Sequence, residues 1–277
     1  SVTDKGLWGS VIILGNGIVG AASGEANIEG VVSGYEFTKY GGSNNAENSG
    51  TLKYVSIRHT GTAVSPGNEL QGLTMGGVGS GTVIENIELI GSEDDGIEIF
   101  GGAVNVTNIV IANFDDDGID LDQAYDGTIS NAVVIMAPGS DTVFEIDGTE
   151  EPNNAIVGEY TIKNVTAYGR SDAAKFDTFG NWKSDATGFN ENVLFVDFPA
   201  STTLGGIDSD TYDGAGTAPI EGKLNFKDFI VVTSDSKATV VGGQVDEASA
   251  TWISVSTTRP SSKGADESVF GWTQFFN

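Results

Sequence analysis

Four acids occupy matching places in short apolar segments: Glu98 in Gly96-Ile97-Glu98-Ile99, Asp120 in Gly118-Ile119-Asp120-Leu121, Glu145 in Val143-Phe144-Glu145-Ile146, and Asp177 in Lys175-Phe176-Asp177-Thr178. Side chains alternate between the two faces of a strand, so the flanking apolar residues point one way and the acids the other. Strands stacked in register lie about 4.8 Å apart, which would align the four carboxylates in a column. Like charges at that spacing repel and raise one another's pKa values unless a cation bridges them. Calcium suits such a column, because it takes six to eight oxygens from carboxylates, carbonyls and water. The turns before two of the segments add Glu93-Asp94-Asp95 and Asp115-Asp116-Asp117. The expected metal ligands are therefore Asp95, Glu98, Asp117, Asp120, Glu145 and Asp177, with Ca2+ as the cofactor. Neither an EF-hand loop nor a Gly-Gly-x-Gly-x-Asp repeat is present, so this expectation rests on stacking and charge. A solvated acidic face is the plainer alternative.

The elements that would position these acids announce themselves in a repeated phrase. It reads Ile84-Glu85-Asn86-Ile87, Val106-Thr107-Asn108-Ile109, Ile129-Ser130-Asn131-Ala132 and Ile162-Lys163-Asn164-Val165, with weaker copies around Tyr54, Asn192 and Asp228. The first three asparagines are 22 and 23 positions apart, a period that marks a solenoid. Asn tolerates the left-handed conformation that a sharp corner between strands needs. Stacked once per coil, its amides can also bond to one another along the axis. Short apolar runs rich in β-branched residues, split by Gly, Asn, Asp and Ser, exclude long helices. On these residues the chain resembles the right-handed parallel β-helix of the pectate-lyase-like superfamily, over roughly residues 50 to 235. The resemblance implies an all-β solenoid with an asparagine ladder. A narrower likeness rests on Gly6-Leu7-Trp8-Gly9, Gly72-Leu73-Thr74-Met75-Gly76-Gly77 and Asp94-Asp95-Gly96-Ile97-Glu98-Ile99-Phe100-Gly101-Gly102. These look like a family of mostly uncharacterised secreted surface proteins from marine bacteria and Bacteroidetes. That likeness implies an extracellular or cell-surface setting, and a first residue that is a trimmed end.

The superfamily also implies chemistry to weigh. Its lyases set a Lys or Arg above calcium as the base that removes a proton next to a uronate carboxylate. Lys175, two residues before Asp177 on the same parity, and Arg170 are the candidates, with Lys175 paired to a neighbouring acid as the plainer reading. Asp94-Asp95 and Asp116-Asp117 faintly resemble the acids of polygalacturonases, but the Gly-His-Gly and Arg-x-Lys of that family are missing. The sole histidine, His59, reads as structural. For stacking on sugar rings the expected residues are Trp182, in a Gly/Asn-rich loop, and Tyr125, with Lys183 beside them as a polar contact.

Bulk composition bounds the rest. The 277 residues carry 39 acids against 13 bases, a net charge of −26, which excludes nucleic acid and anionic membranes as partners. Cysteine is absent, so neither disulfides nor thiolate metal sites serve as staples. No run of 18 apolar residues is present to span a membrane. The chain is expected to form one β-helix domain over 1–277, with N-terminal coils in 1–50, regular coils in 51–240 and an aromatic cap in 241–277. Loops are expected at 149–160 and 179–190, and a longer excursion at 199–222. Two functional classes follow. One is a secreted, calcium-stabilised surface protein with a structural, adhesive or glycan-binding role, its partners extracellular polysaccharide, other surface components or further copies joined through the end coils. The other is a calcium-dependent lyase acting on an acidic glycan.

Overall fold

A computed structural model describes residues 1–32, 34–62, 70–149, 158–170, 178–207 and 224–276. Two parallel sheets run along one axis. The first contains β1 (Val11–Leu14), β5 (Leu73–Gly76), β7 (Ile97–Phe100), β9 (Ile119–Asp122), β11 (Phe144–Asp147) and β13 (Gly180–Lys183), hydrogen-bonded in that order. The second runs from β4 (Thr51–Thr60) through β6 (Val83–Ser92), β8 (Asn105–Ala112), β10 (Thr128–Ile135), β12 (Tyr160–Tyr168), β14 (Gly188–Val196) and β15 (Leu224–Val232) to β16 (Ile253–Ser256). A small antiparallel pair, β2 (Ala26–Asn27) with β3 (Lys39–Tyr40), stands apart. The fold is a parallel β-helix.

Each long strand of the second sheet bends at the asparagine phrase. Tyr54, Asn86, Asn108, Asn131, Asn164, Asn192 and Asp228 all adopt φ between 54° and 61°. Every copy of the phrase therefore makes the same left-handed corner, including the weak ones. Asn108 Nδ2 donates to Asn86 Oδ1 at 3.1 Å, Asn131 to Asn108 at 2.7 Å and Asn192 to Asn164 at 2.8 Å. Inside, Leu73, Ile97, Ile119 and Phe144 stack in register and are fully buried.

The register departs from expectation at the fifth coil. Phe176 was the expected partner of Phe144, yet Gly180 pairs with Phe144 and Asn181 with Glu145. Strand β13 thus lies inside 179–190, where a loop was expected. The reason is volume. Trp182 fills the interior against Phe144 and Phe226, and a Cβ on Gly180 would stand 3.1 Å from the Trp182 ring. The expected strand residues 175–177 lie outside the described residues.

Where coils were expected over 1–50, the solenoid receives one strand, β1. The chain then crosses the outward face of the first sheet as an excursion closed by β2 and β3. Gly17 N–H bonds to Gly77 O, Gly20 N–H to Gln123 O, and Gly102 N–H to Ile18 O. Tyr40 packs on Phe100 with ring centroids 5.7 Å apart.

At the other end, α1 (Lys237–Val241) and Trp252 close the last coils, Trp252 stacking on Phe226 at 4.5 Å. Phe270, Trp272 and Phe276, expected in that cap, lie elsewhere. Beyond β16 the chain turns back along the outward face of the second sheet. Lys263 pairs with Asp228, Gly264 with Asn192 and Asp266 with Asn131. Phe270 then packs on Val110 and Val133, Gln274 N–H bonds to Glu88, and Trp272 meets Tyr54 at 5.7 Å. The tail is a strap spanning the coils from β15 to β4.

Candidate metal centre

Strand ends in the first sheet decide which acids meet. Two positions before the inward residue of each strand stand Gln71, Asp95, Asp117 and Thr142. Asp117 N–H donates to Asp95 Oδ1 at 2.8 Å, and Thr142 N–H to Asp117 Oδ1 at 2.8 Å, with the Thr142 hydroxyl on the same oxygen. These carboxylates tie one coil to the next. One position after the inward residue stand Thr74, Glu98, Asp120 and Glu145, as the repeat implied.

Asp95, Glu98 and Asp120 converge, with carboxylate oxygens within 4.8 Å of one another. All three are buried, Glu98 and Asp120 at 4% and 7% exposure. Expectation had the column facing solvent. Among the described residues the N-terminal excursion crosses this face, and the apolar cluster of Val19, Ala21, Ile28, Tyr40 and Phe100 seats it there. Glu98 Oε2 and Asp120 Oδ1 have no hydrogen-bond partner. A buried acceptor left unpaired costs about 1–3 kcal/mol, and more when charged.

Burial is the main reason these pKa values stand well above the ordinary carboxylate range. Neighbouring acids add to it: Asp94 and Asp117 for Asp95, Asp95 and Asp122 for Glu98, Asp122 and Asp95 for Asp120. Glu29, from the excursion, adds to the push on Glu98. Asp117 is raised from 3.8 to about 8 by burial, despite its bonds from Thr142. It belongs to a second group with Asp116 and Asp141, while Asp94, Asp95 and Asp116 form a third.

The remaining expected site residues separate from the trio. Glu145 is drawn into an ion pair with Lys183 at 2.7 Å, and Asp147 lies 3.3 Å from the same ammonium. Burial alone would lower the Lys183 pKa, but Glu145 and Asp147 hold it above its ordinary value. Lys183, expected as a polar contact for a sugar, therefore stays charged and paired with these two acids. Asp177 and Lys175 lie outside the described residues, and Asn181 holds the place opposite Glu145. Arg170 lies just past the C-terminal end of β12, an interior strand of the second sheet. Trp182 is fully buried, and Tyr125 is buried with its hydroxyl on Val104 O at 2.6 Å, so neither offers a ring to a sugar. Large aromatics fill a β-helix interior because nothing else matches its volume. Beside Glu145 and Lys183 an open cavity of about 410 Å³ is lined also by Asn181, Gly206, Ile207 and Gln244. His59 adopts φ 63° and its Nδ1 lies 2.7 Å from Asp4 O, a structural corner.

Sequence reasoning missed the exposed aromatic pair Tyr35 and Phe37, stacked at 5.1 Å at the tip of the excursion. Its signal was two aromatics flanking an acid outside any repeat. Elsewhere Lys5 pairs with Asp115, Lys53 with Glu85, Arg58 with Glu88, Lys227 with Glu191 and Arg259 with Glu267.

The donor set fits a hard divalent cation. It is all carboxylate, with neither imidazole nor thiolate, and two of its buried oxygens lack any other partner. A family model for a pectate-lyase like beta helix domain matches residues 1–276. No curated protein and no solved structure matches the chain.

Proposed function

The chain belongs to the pectate-lyase-like β-helix family, and on that footing we propose that it is a secreted or cell-surface protein stabilised by calcium, with a structural, adhesive or glycan-binding role and no catalysis. The observation that carries this reading is the buried trio of Asp95, Glu98 and Asp120 with its two unpartnered oxygens. Such a group is a cost to the fold unless protons or a cation neutralise it. A cation that binds only the folded state adds stability by mass action, the role disulfides play in other small extracellular domains. Asp95, Glu98 and Asp120 would hold the ion, and the ion would supply positive charge at the centre of the roofed face.

The competing reading, a calcium-dependent lyase on a uronate glycan, needs an open cationic groove above the acids. Against it stand the covered trio and a net charge of −26 that repels polyanions. For a neutral glycan, Tyr35 and Phe37 offer exposed rings. No helix among the described residues is long and apolar enough to cross a membrane. Strands β1 and β4 are outermost in their sheets, which makes that end the proposed surface for self-association.

Calorimetry of calcium titrated into chelator-stripped protein tests the reading, together with melting in calcium and in EGTA. Binding with a raised melting temperature is expected. Unchanged melting with no binding heat removes calcium from the account. Incubation with alginate, pectate and glycosaminoglycans in calcium should yield no unsaturated-product absorbance; its appearance would favour the lyase.

A further inference from the structure

The excursion that covers the trio is pinned at its far end, where Asn45, Glu47 and Ser49 bond to residues 79–82, and is attached more lightly along its middle. Its described limbs, residues 17–28 and 38–42, meet the solenoid through the cluster of Val19, Ala21, Ile28, Tyr40 and Phe100, which is separate from the main core. Their polar ties include Gly17 N–H to Gly77 O at 2.6 Å, Gly20 N–H to Gln123 O at 2.8 Å, Gly41 N–H to Gly15 O at 3.0 Å, Gly102 N–H to Ile18 O at 2.7 Å and the Tyr40 hydroxyl to Gln123 at 3.1 Å. These fall at the ends of β1, β5, β7 and β9, beside the carboxylates and not on them. The limbs can therefore part from the solenoid without breaking a coil.

We propose that cation binding at Asp95, Glu98 and Asp120 is coupled to closure of these limbs: the ion holds the roof shut, and its removal releases it. The inference rests on the cation reading above and adds a conformational consequence to it. Closed and without an ion, the roof traps three carboxylates within 4.8 Å in a dry site, two of their oxygens unpartnered. Opening returns them to water, where each charge is solvated and screened. A cation reverses the balance, because it is worth most where water is excluded. The roof also carries charge of its own sign: Glu29 acts on Glu98 across the gap, so a positive charge between roof and floor draws the two together. Since the ion has differential affinity for the two states, it shifts their populations, and the coupling is reciprocal.

Hydrogen exchange of the full chain, in calcium and in EGTA, tests this. Amides of 17–28 and 38–42 should exchange roughly tenfold more slowly in calcium, while those of the second sheet hold their rates. By reciprocity, Tyr40→Ala, which loosens the roof without touching the acids, should weaken calcium binding about fivefold or more by calorimetry. Glu98→Gln combined with Asp120→Asn, which neutralises the floor, should protect the limbs with or without calcium. Calcium binding with unchanged exchange in the limbs, or wild-type affinity in the folded Tyr40→Ala protein, overturns the coupling while leaving the cation site standing. Absence of binding overturns both.

Discussion

At the scale of residues, a carboxylate buried beside two others becomes stable by holding a proton or by sharing a cation. Two unit charges 4.8 Å apart repel by about 3–4 kcal/mol at an effective dielectric constant of ~20, so the metal-free trio favours protonation. The pH dependence follows. Folded-state pKa values lie above unfolded ones, so the folded state binds more protons between them and stability falls as pH rises. The contribution is full below the ordinary value of 3.8 and, for Asp117, is gone once pH passes about 8. Melting in EGTA across that range should decline, and calcium should flatten the curve; a flat curve in EGTA would show that the acids titrate normally. Asp120→Asn should stabilise the metal-free protein at neutral pH by about 1–3 kcal/mol, by removing the cost of neutralising a buried carboxylate, and should abolish calcium's increment. Both effects read out in paired melts. The spacing of Glu98 and Asp120 in the repeat made their meeting legible. Nothing local revealed that Lys183 would claim Glu145, or that Asp117 would accept the Thr142 amide.

Elements add what residues lack. Asn131 donates to Asn108 and to Asp266 O, accepts from Asp266 N–H, and sits at φ 61°. Asn131→Gly keeps the corner and loses the amide, at a cost of about 2–3 kcal/mol for its hydrogen bonds. Asn131→Ala should cost roughly 1 kcal/mol more, the left-handed penalty of a Cβ. Equal losses by denaturant titration would mean that the corner conformation carries no weight. In the strap, Gly264 has φ 83°, and a Cβ there would lie 2.3 Å from Thr166 Oγ1 and 3.0 Å from Leu194. Gly264→Ala should therefore detach the tail and speed its cleavage by added protease; wild-type resistance would argue that the contact gives way. The strap had a signal in the sequence. Val110, Val133 and Leu194 sit on the outward parity of their strands yet are apolar, so these strands read as continuous hydrophobic runs, the mark of burial on both faces. Their partner was illegible, because the tail joins them across gaps of 70 residues or more.

For the whole molecule, a bare solenoid would contact only neighbouring coils and melt piecemeal. The strap links β15 to β4 through Lys263–Asp228 and Trp272–Tyr54, and the excursion links β5 to β9. Heat unfolding in calcium should therefore be one transition, and removal of residues 257–277 should broaden or split it in the calorimeter; a single sharp transition in the shortened chain would show that the coils cooperate unaided. The sequence by itself determined the coil, its corners and the inward and outward columns, because these follow from side-chain period and from which residues accept a left-handed φ. The tertiary structure alone decided the fifth register, the roof over the acids and the path of the tail. Each of these depends on volume and on contacts between distant segments, and neither is written in any local pattern. The acids were visible as a column from the start; their burial, which gives the column its chemistry, was a property of the fold.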